Sequence, residues 1–198
     1  MAITTTSTLS HWNYFLALEA DLVDLSRYVE FSPDNFGTYS IEMAHLLLAS
    51  GSEVDVVLRQ LCAMMLPDER ADNIEAYRKT LGLLEPSIAT VNVSLPRFGL
   101  ELTPWANWQE DRSPDWWVAH NKVKHERGAY FPRANLKNVL NAMGGLFIAL
   151  VFYYLIQTEV IRLAPVPELF MAPRELIERA HSLDGDTALY YNRTKATD

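Results

Sequence analysis

The sequence lacks the residues and motifs on which most large enzyme classes depend. Its 198 residues include a single cysteine, Cys62, which excludes an internal disulfide and the usual Cys/His zinc sites. Cys62 lies in the apolar run 58–66, so we interpret it as a buried thiol rather than a nucleophile. The sequence also has no glycine-rich phosphate loop, no Gly-x-Ser-x-Gly elbow and no His-Glu-x-x-His pair. The sequence therefore contains none of the motifs by which most large enzyme classes are usually identified.

Targeting signals and long apolar runs are scarce as well. Residues 1–10 are rich in threonine and serine and do not show the basic-then-apolar pattern of a signal peptide. The longest apolar run, 142–156, contains two glycines and is shorter than the roughly 20 residues that span a bilayer. We interpret this run as a buried core helix, and we expect a cytoplasmic protein that does not enter a membrane.

Length and charge limit the architecture and the partners. A chain of 198 residues with 49% hydrophobic residues can bury one substantial core. We predict a single domain over 1–198, with a core at about 11–163 and a C-terminal appendage at about 164–198. The formal net charge of −8 opposes contact with nucleic acid, so RNA or DNA binding would need a local basic patch.

Hydrophobic periodicity and capping residues predict a mainly helical chain. The predicted helices cover about residues 11–31, 40–66, 67–84, 113–127, 135–163 and 173–182. Alternating residues within 90–103, with Pro96 and Gly99 between them, predict either a short β-hairpin or an irregular loop. The fold class that follows is all-α, an up-and-down bundle of five or six helices with 90–103 as its only β-like region.

Particular residues mark the predicted helix ends. Ser10, Asn135 and Ser113, which is followed by a proline, are expected at N-termini. Gly128 is expected to stop the fourth helix. The helix over 135–163 is apolar on every side, so it should be the central core helix.

The second predicted helix has an apolar seam with a period close to 3.5, which implies lengthwise packing against another helix. Gly51 lies in its middle, where glycine costs about 1 kcal/mol relative to alanine. We expect Gly51 to permit a close helix crossing. Glu42 and Glu53 project from one side of this helix, either as a solvated edge or as acidic partners of a basic site.

The densest group of chemically versatile residues is the segment 116–127, WWVAHNKVKHER. The residues that spacings of three and four place together are Trp117, Asn121, Lys124 and His125. His125 could act as a general acid or base, or it could simply be a cation favoured by the helix dipole in the last turn. His120 and His125 are five residues apart, about 500° of helical rotation, so we do not expect them to bind a metal together.

Local charge and aromatic content around this segment point to an anion. Residues 120–137 contain five cations and a single acid, Glu126. The cations are Lys122, Lys124, Arg127, Arg133 and Lys137. Such a reversal in an acidic chain indicates either a phosphodiester site or a solvated basic face paired with acidic helices. The nearby tryptophans could stack bases or pack the end of a bundle, and they are Trp105, Trp108, Trp116 and Trp117.

The order His120-Asn121-Lys122-Val123-Lys124-His125 resembles the signature of the HEPN superfamily of all-α domains. That signature is an arginine, a polar residue that is often asparagine, three variable residues and a histidine. Asn121 and His125 match it, whereas His120 occupies the arginine position and Arg112 lies too far upstream. The likeness covers about residues 11–163, and the acidic second helix resembles one that these domains often carry.

The resemblance implies two kinds of function. HEPN domains with the full motif are often metal-independent RNases of toxin–antitoxin, phage-defence or RNA-processing systems, with two motifs meeting across a homodimer. Members without the arginine serve as binding or scaffold domains. The resemblance therefore implies a homodimer without cofactor or metal, whose further partners are RNA, a nucleotide or an antitoxin-type protein.

The same resemblance assigns roles to individual residues. His125 would be the general acid/base or would position the 2′-OH, Asn121 would orient it, and a protonated His120 would replace the arginine. The expected ligand-binding residues are Lys122, Lys124, Arg127 and Trp117. We predict a non-catalytic or weakly active module that dimerises. The alternative is an endoribonuclease that uses Asn121 and His125, and a third hypothesis is a small-molecule site among the aromatic residues.

Overall fold

The computed structural model describes residues 9–157, 160–173, 177–178 and 189–192. Within these residues, five α-helices pack together, with short 3-10 turns and a two-stranded antiparallel hairpin between them. The helices are α1 (Ser10–Leu25), α2 (Ile41–Met65), α3 (Ile74–Leu84), α4 (Asp115–Tyr130) and α5 (Leu136–Leu155). The prediction of a helical bundle with a short hairpin is confirmed.

Helices α2 and α5 form the centre of the bundle and share its largest helix–helix interface. Every residue of α5 from 142 to 151 is buried, as expected of a helix that is apolar all round. The apolar seam of α2 packs along α5, so both predictions about these helices are confirmed. By length and composition alone, Leu136–Leu155 could cross a membrane, but 83% of its most apolar window is buried within the protein.

Helix starts follow the capping chemistry. The side chains of Ser40 and Asn135 accept the N–H of Met43 and Asn138, each at 3.1 Å, and so cap α2 and α5. Helix α3 begins later than predicted, because the Asn73 side chain caps it by accepting the N–H of Ala76 at 3.1 Å. Ser10 is the first residue of α1, and no side-chain hydrogen bond caps that helix.

Two predicted helix ends are wrong because the chain turns earlier. Helix α1 stops at Leu25, not at 31, where the Ser26 hydroxyl donates to the carbonyl of Val23 at 2.6 Å. Helix α5 stops at Leu155 and is followed by strand β3 (Val160–Leu163), so the predicted continuation to 163 is not helical. The apolar pattern at the end of this predicted helix is compatible with a strand as well as with a helix.

The last predicted helix, 173–182, is contradicted where the structure describes it. Ile177–Glu178 is strand β4, and it pairs with β5 (Leu189–Asn192), which also pairs with β3. This antiparallel sheet has the order β3-β5-β4. Residues 174–176 and 179–182 lie outside the described part of the chain.

The predicted hairpin is present as β1 (Val93–Leu95) and β2 (Leu100–Leu102), with Val93 opposite Leu102. Gly99 ends its turn in the left-handed region, at φ 62°, which glycine adopts without steric cost. The inward side chains of both strands are buried and pack toward α5, so this small sheet is part of the main core.

The segment 163–172 is a strap across α1 and the hairpin. The Glu19 carboxylate of α1 is 3% exposed and accepts three consecutive backbone N–H groups, those of Glu168, Leu169 and Phe170, at 2.8–3.2 Å. Burial raises the pKa of Glu19, while these hydrogen bonds act in the opposite direction. The strap is also held by the Trp12 indole, which donates to the carbonyl of Pro165 at 3.0 Å.

Glu19→Ala should lower the free energy of unfolding by about 3 kcal/mol, because three buried N–H groups would lose their acceptor. Chemical denaturation followed by circular dichroism measures this loss. Asp21→Ala, which removes an exposed acid of the same helix, is the matched control and should change stability by less than about 0.5 kcal/mol. A loss for Glu19→Ala that is no larger than this would contradict the role of Glu19 as the anchor of the strap.

Candidate functional site

Helix α4 carries every residue of the predicted motif, and its inner face is formed by aromatic side chains. Trp116 donates its indole N–H to the carbonyl of Pro104 at 2.8 Å and packs edge-on against Trp105 and Trp117. All four tryptophans of 105–117 are at most 7% exposed. The core-packing interpretation of these residues is confirmed. Trp117, expected as a ligand-binding residue, is 7% exposed and packs in the core against Trp116 and His120.

His120 lies in the interior, at the crossing of α4 and α2. It is 3% exposed and packs against Gly51, where an added Cβ would lie 2.5 Å from the imidazole Cδ2. The expected close helix crossing at Gly51 is therefore present. The ring of Trp117 covers another side of the imidazole, with the centroids 5.4 Å apart. The Nδ1 atom of His120 is buried without a hydrogen-bond partner among the described residues.

Burial lowers the pKa of His120 to about 4, and the nearby charge of Lys124 acts in the same direction. Asp55 of α2 acts in the opposite direction but with a smaller effect. His120 is therefore neutral at pH 7. The expectation that a protonated His120 replaces the motif arginine is corrected here, because a buried neutral imidazole supplies neither a positive charge nor the fork of donors of a guanidinium.

Asn121 and His125 lie on the outer side of α4. Asn121 is half-buried and His125 is exposed, and within the described residues neither side chain makes a hydrogen bond, with the other or with a third group. The described residues contain no group of three or more His, Cys, Asp or Glu side chains that could hold a metal ion. These two motif residues are accessible to a ligand but are not held in a fixed orientation.

The basic residues lie around the last turns of α4. The helical geometry breaks at Glu126, with φ −136° and ψ 43°, close to the stop predicted at Gly128. Lys122 pairs with Glu126 at 3.0 Å and also lies over the Tyr130 ring. The other cations are exposed and have no ion-pair partner in the described part of the chain, and they are Lys124, Arg127, Arg133 and Lys137. We call these four residues the basic end of α4.

An open cleft of about 450 Å³ adjoins this basic end, between the start of α2 and the end of α4. It is lined by Ile41, Ala44 and Phe131 together with Arg127 and Gly128. Ile41 is 68% exposed, which is unusual for an isoleucine in a folded domain. The cleft therefore offers an apolar surface directly beside an unpaired guanidinium.

No ion pair among the described residues joins an acidic side chain of α2 to the basic end of α4. Glu53 contacts His11 Nδ1 of α1 at 2.5 Å, and Glu42 lies 3.8 Å from His45 on its own helix. The hypothesis of acidic partners for a basic site therefore gains no support. The His11–Glu53 pair was not predicted, because two residues 42 positions apart give no local signal.

A second group that sequence reasoning missed joins α2 to α3. Asp55 accepts the Tyr77 hydroxyl at 2.9 Å and pairs with Arg59 at 2.5 Å. The spacing of Asp55 and Arg59 by four residues was a readable signal, whereas Tyr77 was not. Burial raises the pKa of Tyr77 to about 12, so this hydroxyl stays protonated and acts as a structural donor.

No protein-family model matches this chain, and neither a curated protein nor a solved structure matches it. The likeness to HEPN domains therefore continues to rest on Asn121 and His125 within the 120–125 segment.

Gly51→Ala should destabilise the protein by about 1–3 kcal/mol, because the new methyl group overlaps His120 at the α2–α4 crossing. Helix propensity alone would instead stabilise it by about 1 kcal/mol. Gly82→Ala is the matched control, since a Cβ there meets nothing within 4 Å. Denaturant unfolding of both variants gives the comparison, and equal stabilisation by the two substitutions would refute the close crossing.

The neutral state of His120 predicts an acid-sensitive stability. Its pKa is about 4 in the folded protein against an ordinary value of 6.5, so the unfolded chain binds the proton more readily between these pH values. Stability should fall as pH decreases from about 6.5 to 4, by about 3 kcal/mol in total from this residue. The measurement is urea unfolding of the wild type and His120→Leu across this range. The variant should show the weaker pH dependence, and parallel profiles would contradict the assignment.

Proposed function

We propose that this protein is a HEPN-like helical module that forms a homodimer and binds RNA or another phosphate-bearing ligand without cleaving it. The observation that carries this proposal is the basic end of α4. Its four exposed cations lie within residues 124–137, from α4 to the first turn of α5, and have no ion-pair partner in the described residues, in a chain whose formal net charge is −8. Unpaired cations in one place attract phosphate groups and release counterions on binding.

The cleft beside Arg127 supports a ligand that has an apolar part as well as phosphate. A nucleotide base is flat and apolar on its faces, and it can lie against Phe131 and Ile41 while its phosphate contacts Arg127. The ring of Phe131 is steadied by an edge-on contact with Tyr39, with the centroids 5.4 Å apart. RNA or a nucleotide therefore fits this surface better than inorganic phosphate does.

The state of His120 favours binding over catalysis. Cleavage of a phosphodiester builds up negative charge that a fixed cation must stabilise. At the motif position of the arginine stands a buried, neutral imidazole. Asn121 and His125 also make no hydrogen bond within the described residues that would hold a general acid and base in place.

The alternative function is a metal-independent endoribonuclease of toxin or phage-defence type. It is favoured by the accessibility of His125 and by the position of Asn121 one helical turn before it. A second copy of the chain would then have to supply the missing cation. Dimerisation is common to both functions, and a monomer at micromolar concentration in light scattering would count against both.

The double variant Lys124→Glu/Arg127→Glu should bind a fluorescent single-stranded RNA at least about tenfold more weakly than the wild type in anisotropy titrations. The plot of log K against log salt concentration should also become shallower, by about 0.7 for each phosphate that the variant no longer neutralises. Arg27→Glu is the matched control, because Arg27 is an exposed arginine of α1's C-terminal flank without a described ion pair.

The double variant reverses two charges and Arg27→Glu reverses one. A loss in log K that is only twice as large in the double variant as in Arg27→Glu would therefore mean that net charge, and not the basic end of α4, determines binding. The same RNA incubated in EDTA distinguishes the two functions. Intact RNA supports the binding module. Cleavage that disappears in His125→Ala would replace it with the endoribonuclease, whereas cleavage that persists in His125→Ala would indicate a contaminating enzyme.

A further inference from the structure

A second open cleft, of about 580 Å³, lies away from the motif between α3 and two 3-10 turns. One turn, Pro86–Ala89, follows α3 directly, and the other, Ala106–Glu110, follows the hairpin. The volume is that of a typical small-molecule site, which ranges from about 300 to 1,000 Å³. This cleft shares no lining residue with the one beside Arg127.

The walls of this cleft are largely apolar. Trp108 forms part of one wall and is held from behind by Trp105, with the ring centroids 4.4 Å apart. Leu83 of α3 lies in the other wall and is 80% exposed, which leaves a large apolar side chain without cover. Between them the space is open, because a Cβ added to Gly82 meets nothing within 4 Å. A flat apolar group bound in the cleft would exclude water from the exposed parts of both walls.

The Trp108 indole provides a polar feature in the same place. Trp108 is 6% exposed, and its Nε1–H is buried without a hydrogen-bond acceptor in the described residues. Buried donors in native proteins almost always have an acceptor, so one that lacks it calls for an explanation. A ligand acceptor that enters beside the indole would supply the missing partner.

Among the charges along the cleft, one cation is left without an ion pair in the described residues. Arg78 is bound by two carboxylates, that of Glu75 at 3.0 Å and that of Asp111. The next residue, Lys79, is exposed and makes no ion pair with the described residues. The charges of Arg78, Lys79, Glu75 and Asp111 sum to zero, but Lys79 is the one of these four groups whose charge is free to contact an anionic group of a ligand.

We propose that this cleft, the Trp108 cleft, binds a small aromatic monoanion. The aromatic ring lies between Trp108 and Leu83, and the anionic group, such as a carboxylate, contacts Lys79. This site is independent of the phosphate-binding function proposed for α4, since it uses neither α4 nor the basic residues that follow it.

Two fluorescent probes with the same ring system separate the apolar and the charged parts of this site. They are 8-anilinonaphthalene-1-sulfonate, which is anionic, and N-phenyl-1-naphthylamine, which is neutral. The titrations use the Arg127→Glu variant as the reference protein, because the cleft beside Arg127 would also accept an aromatic anion. This variant should give saturable binding of one sulfonate probe per chain. The neutral probe should bind about fivefold more weakly, as expected when one exposed ion pair is missing.

Two substitutions test the assignment. Gly82→Phe places a ring in the open space of the cleft and should abolish the binding of both probes; it also improves helix propensity, so the fold is retained. Lys79→Met keeps the apolar stem and should weaken only the anionic probe, by about fivefold. Arg27→Met removes an exposed cation that belongs to neither cleft; it is the control and should change neither titration.

Each of the following results would overturn all or part of the proposal. Unchanged binding in Gly82→Phe, with the melting temperature preserved, would place the probe elsewhere on the protein. Equal affinities of the two probes for the Arg127→Glu reference protein, or equal losses in Lys79→Met and Arg27→Met, would remove the anionic part. Absence of saturable binding to the reference protein would remove the site.

Discussion

The burial of α5 is the constraint on which the rest of the structure depends. This helix is apolar on every side, and its residues 142–151 are all buried. A helix of this kind cannot lie on a surface, so other elements must cover its whole circumference. Helices α1, α2 and α4, the β1–β2 hairpin and the strap after β3 are the elements that do so.

Close coverage of α5 requires small residues where other elements approach it. A Cβ at Gly145 would lie 2.9 Å from the ring of Trp116, and the Trp105 indole donates to the carbonyl of Gly145 at 3.3 Å. These contacts fix the rotation of α4 about its own axis. Once Trp116 faces α5, His120 must turn toward Gly51 of α2, and the charged residues of α4 must turn outward. The orientation of the motif is therefore a consequence of core packing.

The rotation of α4 also explains why one end of the short motif is buried and the other end is exposed. His120 enters the interior, where burial lowers its pKa to about 4, while His125 remains exposed five residues later. Two histidines of the same helix thus have different chemistry because of the direction in which each points. The basic end of α4 remains free because the acidic residues of α2 are engaged elsewhere, as Glu53 is by His11.

Local rules predicted the features that depend on neighbouring residues in the chain. The capped start at Asn135, the seam of α2 and the hairpin around Gly99 all follow from spacing and residue type. The ends of α1 and α5 were misplaced, because an apolar pattern alone does not show where a helix gives way to a turn or a strand. The Trp108 cleft was not foreseen either, since its walls come from separate turns.

By itself, the sequence determined that the chain is a helical bundle around a core helix that begins after Asn135, that no internal disulfide can form and that five cations lie within residues 120–137. It also identified Gly51 as the place of a helix crossing. Only the tertiary structure decided that His120 is buried and neutral, that Glu19 binds the strap 149–151 residues later, and that the four cations of the basic end of α4 have no ion-pair partner among the described residues. The reason is physical: composition and periodicity fix which residues must be buried, whereas a side chain's charge state and partners depend on contacts between distant parts of the chain.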